Sequence, residues 1–232
     1  MNIDEHVESV LRFFDSDAKI LSEILFIGAW ARYFYQDLFS GTGEYNARFV
    51  TKDLDILLNR KRKEQKQTVD VHQKLLAAGY QAEFLPNQLI KYRRGALDLE
   101  FLLPAKGAPR EKAVHIRAYN LTAQELAYLE MLWSRPVSIR YGNYEVKVPN
   151  PFDFALHKLI ISFRRANPRS GEQDRRDAEE VLYVLYKRDD FEAAFRETSD
   201  RLNAKSMKAV RKGIDAFLVP GLRERLQELV AV

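Results

Sequence analysis

Two short stretches of this chain alternate between apolar and charged residues, and both carry acids on the charged face. In Thr51-Lys52-Asp53-Leu54-Asp55-Ile56-Leu57-Leu58, a strand's period of two puts Asp53, Asp55 and Leu57 on one face and Leu54, Ile56 and Leu58 on the other. Ala96-Leu97-Asp98-Leu99-Glu100-Phe101-Leu102-Leu103 repeats the pattern, with Asp98 and Glu100 on one face and Leu97, Leu99, Phe101 and Leu103 on the other. Further strands are predicted near 81–85 and 89–93, and a hairpin over 136–148 turning at Gly142-Asn143. Helical spacing links Ile3, Val7, Val10, Leu11 and Phe14, and also Ile20, Leu21, Ile24 and Leu25. A helix starts after Gly28, and another is predicted from about Lys63 to Ala78, stopped by Gly79. Loops are expected over Gly41–Asn46 and Pro104–Pro109.

The second half reads as mostly helical. Thr122-Ala123-Gln124-Glu125 has the form of a capping box ahead of Leu126, Leu129, Leu132 and Trp133. Asn150-Pro151 opens a helix with the core stripe Phe152, Leu156, Leu159, Ile160 and Phe163. Helices follow over about 174–187, 191–202, 205–218 and 222–230. The expected architecture is α/β (α+β): a short mixed β-sheet flanked by helices over 1–118, then a mostly helical domain with a small hairpin over 119–232.

With 232 residues, 46% of them hydrophobic, the chain can bury one substantial core or two small ones. It has no cysteine, which excludes disulfides, zinc ribbons and thiol catalysis. It has no long apolar run and no basic, apolar leader at Met1-Asn2-Ile3-Asp4-Glu5-His6, so no membrane span is expected and a cytoplasmic location is the default. The net charge of +4 suits an anionic substrate but makes no case for sequence-specific DNA binding.

Paired carboxylates on a rigid strand are costly unless a cation sits between them. Asp53 and Asp55 are therefore candidate ligands for Mg²⁺, with Asp98 or Glu100 as a third from a neighbouring strand. Three carboxylates on adjacent strands can hold two metals for in-line phosphoryl displacement. The alternative is a pair of half-exposed strands whose acids face water. Among the aromatics, Trp30, Tyr33, Phe34 and Tyr35 read as core rather than as a base-stacking platform, and Met131 and Trp133 as core too.

Phe26-Ile27-Gly28-Ala29, Thr51-Lys52-Asp53-Leu54-Asp55 and Leu99-Glu100-Phe101-Leu102-Leu103-Pro104, in that order, resemble the polymerase-β-like nucleotidyltransferase superfamily. The likeness extends to a bacterial group distantly similar to abortive-infection toxins. Its later segments have counterparts in Leu121–Leu129, in Pro151–Leu159, and in Ser162, Arg164, Arg165 and Asp174-Arg175-Arg176-Asp177. The resemblance implies transfer of a nucleoside monophosphate from an NTP with two Mg²⁺ or Mn²⁺ ions. It implies Asp53, Asp55 and Glu100 as catalytic metal ligands, with Asp98 as the fallback. Gly28 and Ala29 would let the backbone approach a phosphate at a helix N-terminus, although Gly28 also fits an ordinary strand-to-helix turn. Ala29 stands where the family usually has a small polar residue, and the stretch from Gly28 to Asp53 is longer than in minimal members.

Lys158, Ser162 and Arg165 stack at helical spacing opposite the apolar stripe; the resemblance implies that this face binds the triphosphate, and a solvated basic face is the alternative. Asp177 leans inward with Val181 and Val184 and needs a cation that Lys158, Arg164 or Arg165 could supply; an arginine pair, with Arg164, is expected. The acceptor implied is a protein or RNA hydroxyl; for a toxin, an antitoxin would be the partner. A catalytically silent nucleotide-binding module and an RNA-binding protein are the competing readings.

Overall fold

The computed structural model describes residues 3–42, 45, 52–85, 88–106 and 113–231. Thr51, part of the Gly41–Asn46 loop and the end of the Pro104–Pro109 loop lie outside these. The elements in chain order are α1 (Ile3–Arg12), β1 (Ile24–Phe26), α2 (Gly28–Leu38), β2 (Asp53–Leu58), α3 (Val71–Ala77), β3 (Gln81–Phe84), β4 (Ile90–Arg94), β5 (Leu97–Pro104), β6 (Ala113–Ile116), β7 (Leu121–Leu126), β8 (Val137–Tyr141) and β9 (Tyr144–Val148). The helices α4 (Pro151–Ser162), α5 (Pro168–Leu185), α6 (Phe191–Ser199), α7 (Ala204–Ile214) and α8 (Pro220–Val230) complete the chain. The fold is mixed α/β, as expected: a mixed sheet flanked by helices. None of the described helices is long and apolar enough to cross a membrane.

The strands run β1-β2-β5-β4-β3, with β7 pairing to both β5 and β6. β5 is the organising strand. One edge pairs with β2 in parallel. The other edge is shared: β4 takes its beginning, antiparallel, and β7 takes its end, in parallel. The period of two gives this sheet two different faces. Phe26, Ile56, Leu99, Phe101 and Tyr92 are buried on one face, where Phe14 meets Phe26 and Phe101 edge-on at 6.2 and 6.4 Å. Trp30 and Phe34 of α2 close over Phe26 at 6.1 and 5.5 Å, so Trp30, Phe34 and Tyr35 are core, as expected, while Tyr33 is only half-buried. The other face is divided. Leu25, Leu57 and Leu102 form an apolar cluster with Ile27, Leu129 and Leu132, while Asp53, Asp55, Asp98 and Glu100 occupy its opposite end.

The chain divides into two compact units: residues 1–38 with 47–149, and residues 39–46 with 150–232. Residues 119–149 fall within the first unit: β7 joins the main sheet, and the β8–β9 hairpin packs against β1 and α2. Tyr141 meets Tyr33, hydroxyl to hydroxyl, at 3.0 Å, and the Tyr35 hydroxyl donates to the Pro149 carbonyl at 2.8 Å.

Three predicted helices change. Thr122–Glu125 does not cap a helix but forms β7: Leu121 and Ala123 are buried alternately, and Glu125 accepts from Arg60 at 2.6 Å. The exposed edge of β5 supplies a ladder that outweighs the local capping signal. The 63–78 helix shrinks to α3, started by Asp70, whose carboxylate accepts from the Gln73 N–H at 2.9 Å; the basic run before it offers no apolar stripe. The Ile20–Leu25 stretch is a 3₁₀ turn leading into β1, buried on all sides.

In the second unit α4 is capped by Asn150, which accepts from the Phe152 N–H at 2.9 Å. Its core residues Phe152, Leu156, Leu159 and Ile160 are buried, whereas Phe163 lies past the helix end and is partly exposed. Gly213 lets α7 approach closely: a Cβ there would stand 2.7 Å from Leu159.

Candidate functional site

The parallel register of β2 and β5 sets Asp53 beside Asp98 and Asp55 beside Glu100. All four acids therefore share one face at the N-terminal ends of the two strands. At the start of α2, Gly28 adopts φ +63°, and a Cβ on it would lie 2.9 Å from an Asp55 carboxylate oxygen. The turn thus needs glycine twice over, for its left-handed backbone and for its approach to Asp55. The Ile27 N–H donates to the Asp55 carbonyl at 3.2 Å, which fixes the entry of α2 against β2. Ala29, in the first turn of α2, brings no side-chain donor of its own to this end of the helix.

A lysine sits at the focus of the acids. The Lys91 ammonium of β4 lies 2.8 Å from Glu100, 3.3 Å from Asp98 and 3.5 Å from Asp53. Burial works to lower the Lys91 pKa, but the hydrogen bonds and charges of Glu100 and Asp98 outweigh it and hold the ammonium above its ordinary range. Next along the same face, Arg93 grips Asp98 at 2.6 and 3.3 Å. The Arg93 bond foremost, with help from Lys91, keeps the Asp98 carboxyl below its ordinary value despite burial.

Carboxylate oxygens are the donors that Mg²⁺ and Mn²⁺ prefer. Asp53 and Asp55, two residues apart on β2, fit one such ion by type and by shared face. The full cluster does not stand open for metals. Among the described residues, no group of three or more His, Cys, Asp and Glu side chains is set to hold a metal ion by itself. The point on which Asp53, Asp98 and Glu100 converge is filled by Lys91.

The second unit holds its own charge cluster. The Lys158 ammonium lies 2.6 Å from Asp174 and 3.0 Å from Asp177, and Arg165 donates to Asp174 at 2.6 Å. Burial would raise the Asp174 carboxyl, but Lys158 and Arg165 outweigh it and lower its pKa. The Ser162 hydroxyl turns back to the Leu159 carbonyl at 2.8 Å. The row Lys158, Ser162 and Arg165, expected to face a phosphate, is thus engaged with α5 and with its own helix. Asp177, for which Arg164 is the expected partner, has Lys158 at 3.0 Å and accepts from Gln173 at 2.8 Å.

Sequence reasoning missed Lys91 and Asp174. Lys91 was within reach, since alternation along Leu89–Arg93 puts Lys91 and Arg93 on one face; only the strand register shows that this face is the acidic one.

A family model described as nucleotidyltransferase matches residues 5–201. Among solved structures, the chain is similar to an antigenic nucleotidyltransferase-like protein from Paracoccidioides brasiliensis, at 14% identity and a TM-score of 0.43, over 90% of this chain and 91% of that one. It is also similar to ANT(2″)-Ia in complex with adenylyl-2″-tobramycin, at 13% identity and a TM-score of 0.42, over 84% of this chain and 97% of that one. No curated protein matches.

Proposed function

The chain belongs to this nucleotidyltransferase family, and from that premise we propose that it transfers a nucleoside monophosphate from an NTP to a hydroxyl of a protein or an RNA. The observation that carries the reading is the β2–β5 register, which gathers Asp53, Asp55, Asp98 and Glu100 on one face while Gly28 brings the start of α2 against Asp55. Asp53 and Asp55 would hold Mg²⁺ or Mn²⁺, which neutralises triphosphate charge when bound. The start of α2, through the N–H groups from Gly28 and Ala29 onward, faces the phosphates, because a helix N-terminus favours anions. Glu100, which is paired with Lys91 at 2.8 Å, would orient or deprotonate the acceptor hydroxyl in place of holding a metal. Catalysis on such a face is chiefly positioning and electrostatic stabilisation.

Lys158 and Arg165 neutralise Asp174 and Asp177 within the second unit, and Ser162 caps back onto its own helix, rather than serving as phosphate ligands. This assignment rests on the 2.6 and 3.0 Å pairs of Lys158. A toxin acting in the cytoplasm, countered by an antitoxin, is one setting for the transfer.

One observation favours a second reading. A lysine held by three carboxylates also suits a silent module that binds nucleotide without transferring it. Thermal stabilisation by each of the four NTPs, with Mg²⁺ and with Mn²⁺, tests binding; pyrophosphate release in a cell extract tests transfer. Binding without release selects the silent module. Absence of both, with Asp55→Asn indistinguishable from the native chain, rejects nucleotide chemistry at this face.

A further inference from the structure

Beyond the carboxyl ends of β2 and β5, which run in parallel, the first unit holds a cavity of about 790 Å³. Loops that leave neighbouring parallel strands diverge, and the crevice between them is where open α/β sheets take ligands. The volume lies within the range of about 300–1,000 Å³ typical of small-molecule sites. The cavity is distinct from the acidic face, because Asp53 opens β2 and Leu58 closes it about 17 Å away, at about 3.3 Å per residue.

The walls of the cavity differ in chemistry. The wall that follows β2 and β5 is basic, with Arg60, Lys61 and Lys63 after β2 and Lys106 after β5. The turn that carries the first three is fixed from within and from the sheet. Asn59 accepts from the Lys61 N–H at 2.9 Å. The Arg60 guanidinium donates to the Pro104 carbonyl and, at 2.6 Å, to Glu125, so it ties the ends of β5 and β7 to the turn and is itself neutralised. Lys63 has Glu64 at 3.4 Å, an acid whose side chain is 72% exposed. The ammonium groups of Lys61 and Lys106 meet no acid among the described residues.

The other wall is the 3₁₀ turn Leu129–Trp133. Side chains three residues apart eclipse on such a turn, which sets Glu130 beside Trp133, and both line the cavity. The Trp133 Nε1–H already donates to the Leu58 carbonyl at 3.1 Å, so the indole offers a ligand its carbon surface rather than a donor. Behind it lies the apolar cluster of Leu57, Leu102, Leu129 and Leu132, which holds the ring in place.

We propose that this cavity binds a nucleoside monophosphate without a metal ion. Its two walls match the three parts of such a ligand. The base lies against the Trp133 indole, the ribose hydroxyls donate to the Glu130 carboxylate, and the phosphate accepts from Lys61, Lys63 and Lys106. This site is separate from the proposed NTP site on the acidic face and does not depend on it.

Calorimetric titration of the whole chain with each of the four ribonucleoside monophosphates, in EDTA, tests the inference, with the free nucleosides and inorganic phosphate for comparison. At least one monophosphate is expected to bind more tightly than its nucleoside and than phosphate. It should also quench tryptophan fluorescence, because Trp133 lines the cavity whereas Trp30 is wholly buried. Lys61→Glu combined with Lys106→Glu should weaken this binding about tenfold or more, with the melting temperature unchanged, since both side chains are exposed. If that double variant does not fold, Lys61→Gln and Lys106→Gln, which remove the charges without reversing them, decide in its place. Absence of both heat and quenching overturns the inference, as does an affinity indifferent to these substitutions or phosphate bound as tightly as any monophosphate. Binding that requires Mg²⁺ and is lost in Asp55→Asn also overturns it, and puts the nucleotide on the acidic face in support of the transfer reading. A chain that binds a monophosphate in EDTA but neither binds an NTP nor releases pyrophosphate keeps this site and loses the transfer reading.

Discussion

His157 makes the stability of the helical unit depend on pH. It lies in the middle of α4, is 7% exposed, and its Nε2 has no hydrogen-bond partner. Burial, reinforced by the charges of Lys158 and Arg165 and opposed by Asp174, pushes its pKa from 6.5 down to about 3. The folded chain therefore keeps this imidazole neutral where the unfolded chain protonates it. With the folded value below the unfolded one, the unfolded state binds more protons between the two, and stability falls as pH drops through 6.5 toward about 3. Each unit crossed costs about 1.4 kcal/mol, so acidification from about pH 7 to about pH 5 costs about 2 kcal/mol from this residue. Asp174 adds nothing in that window, since its lowered carboxyl loses its contribution only below the ordinary carboxylate value of 3.8.

The perturbation is His157→Leu, which removes the titration and the unpaired nitrogen together. The assay is urea unfolding at about pH 7, 6 and 5, followed by far-ultraviolet circular dichroism. Fluorescence would report on the wrong part of the chain, because both tryptophans, Trp30 and Trp133, lie in the first unit. The native chain should lose about 2 kcal/mol more than the variant over this range. His6, whose pKa is also lowered, is common to both proteins and cancels. Parallel stability curves for the two proteins would refute the reasoning, and would mean that the native fold admits water or a partner to this imidazole.

Lys158→Met should lower the stability of the helical unit by about 3–5 kcal/mol, because it removes the buried ammonium that Asp174 and Asp177 share, and should leave NTP binding unchanged; thermal melts with and without nucleotide separate the two effects. Gly28→Ala should cost about 1–2 kcal/mol for its left-handed backbone, and should weaken nucleotide binding further because the new methyl displaces Asp55, as calorimetry would register. Asp55→Asn should lose Mg²⁺-NTP binding with an unchanged melting profile without ligand; loss of the fold instead would give Asp55 a structural role.

The acidic strands were legible because their periodicity is local: eight residues of β5 state which face is wet and which is buried. What joins Asp53 to Asp98 and Asp55 to Glu100 is register, a property of two strands forty residues apart, and alternation within either strand says nothing about it. Lys91 was hidden for the same reason. Its strand and its face were readable, yet its partner across the ladder was not. The mistaken helix at Thr122–Glu125 shows local chemistry losing to a long-range one. A capping box is worth about 1 kcal/mol, and the free edge of β5 offers a row of backbone hydrogen bonds with burial of Leu121 and Ala123 besides.

The basic row of α4 teaches the complementary lesson. A helical stripe of Phe152, Leu156, Leu159 and Ile160 identifies one buried face, and the opposite face is then assigned to solvent or ligand by default. In this helix Asp153, His157, Lys158 and Ser162 are buried as well, because α5, α6 and α7 all pack against it. A helix enclosed on all sides must neutralise whatever charge it carries, and the nearest acids that do so, Asp174 and Asp177, come from the next helix. Charged residues opposite an apolar stripe therefore describe a binding face only when the helix has a free side. The number of helices that follow in the sequence is the signal that decides it: with four more helices after α4, a central position and an internal role for Lys158 are the consistent reading.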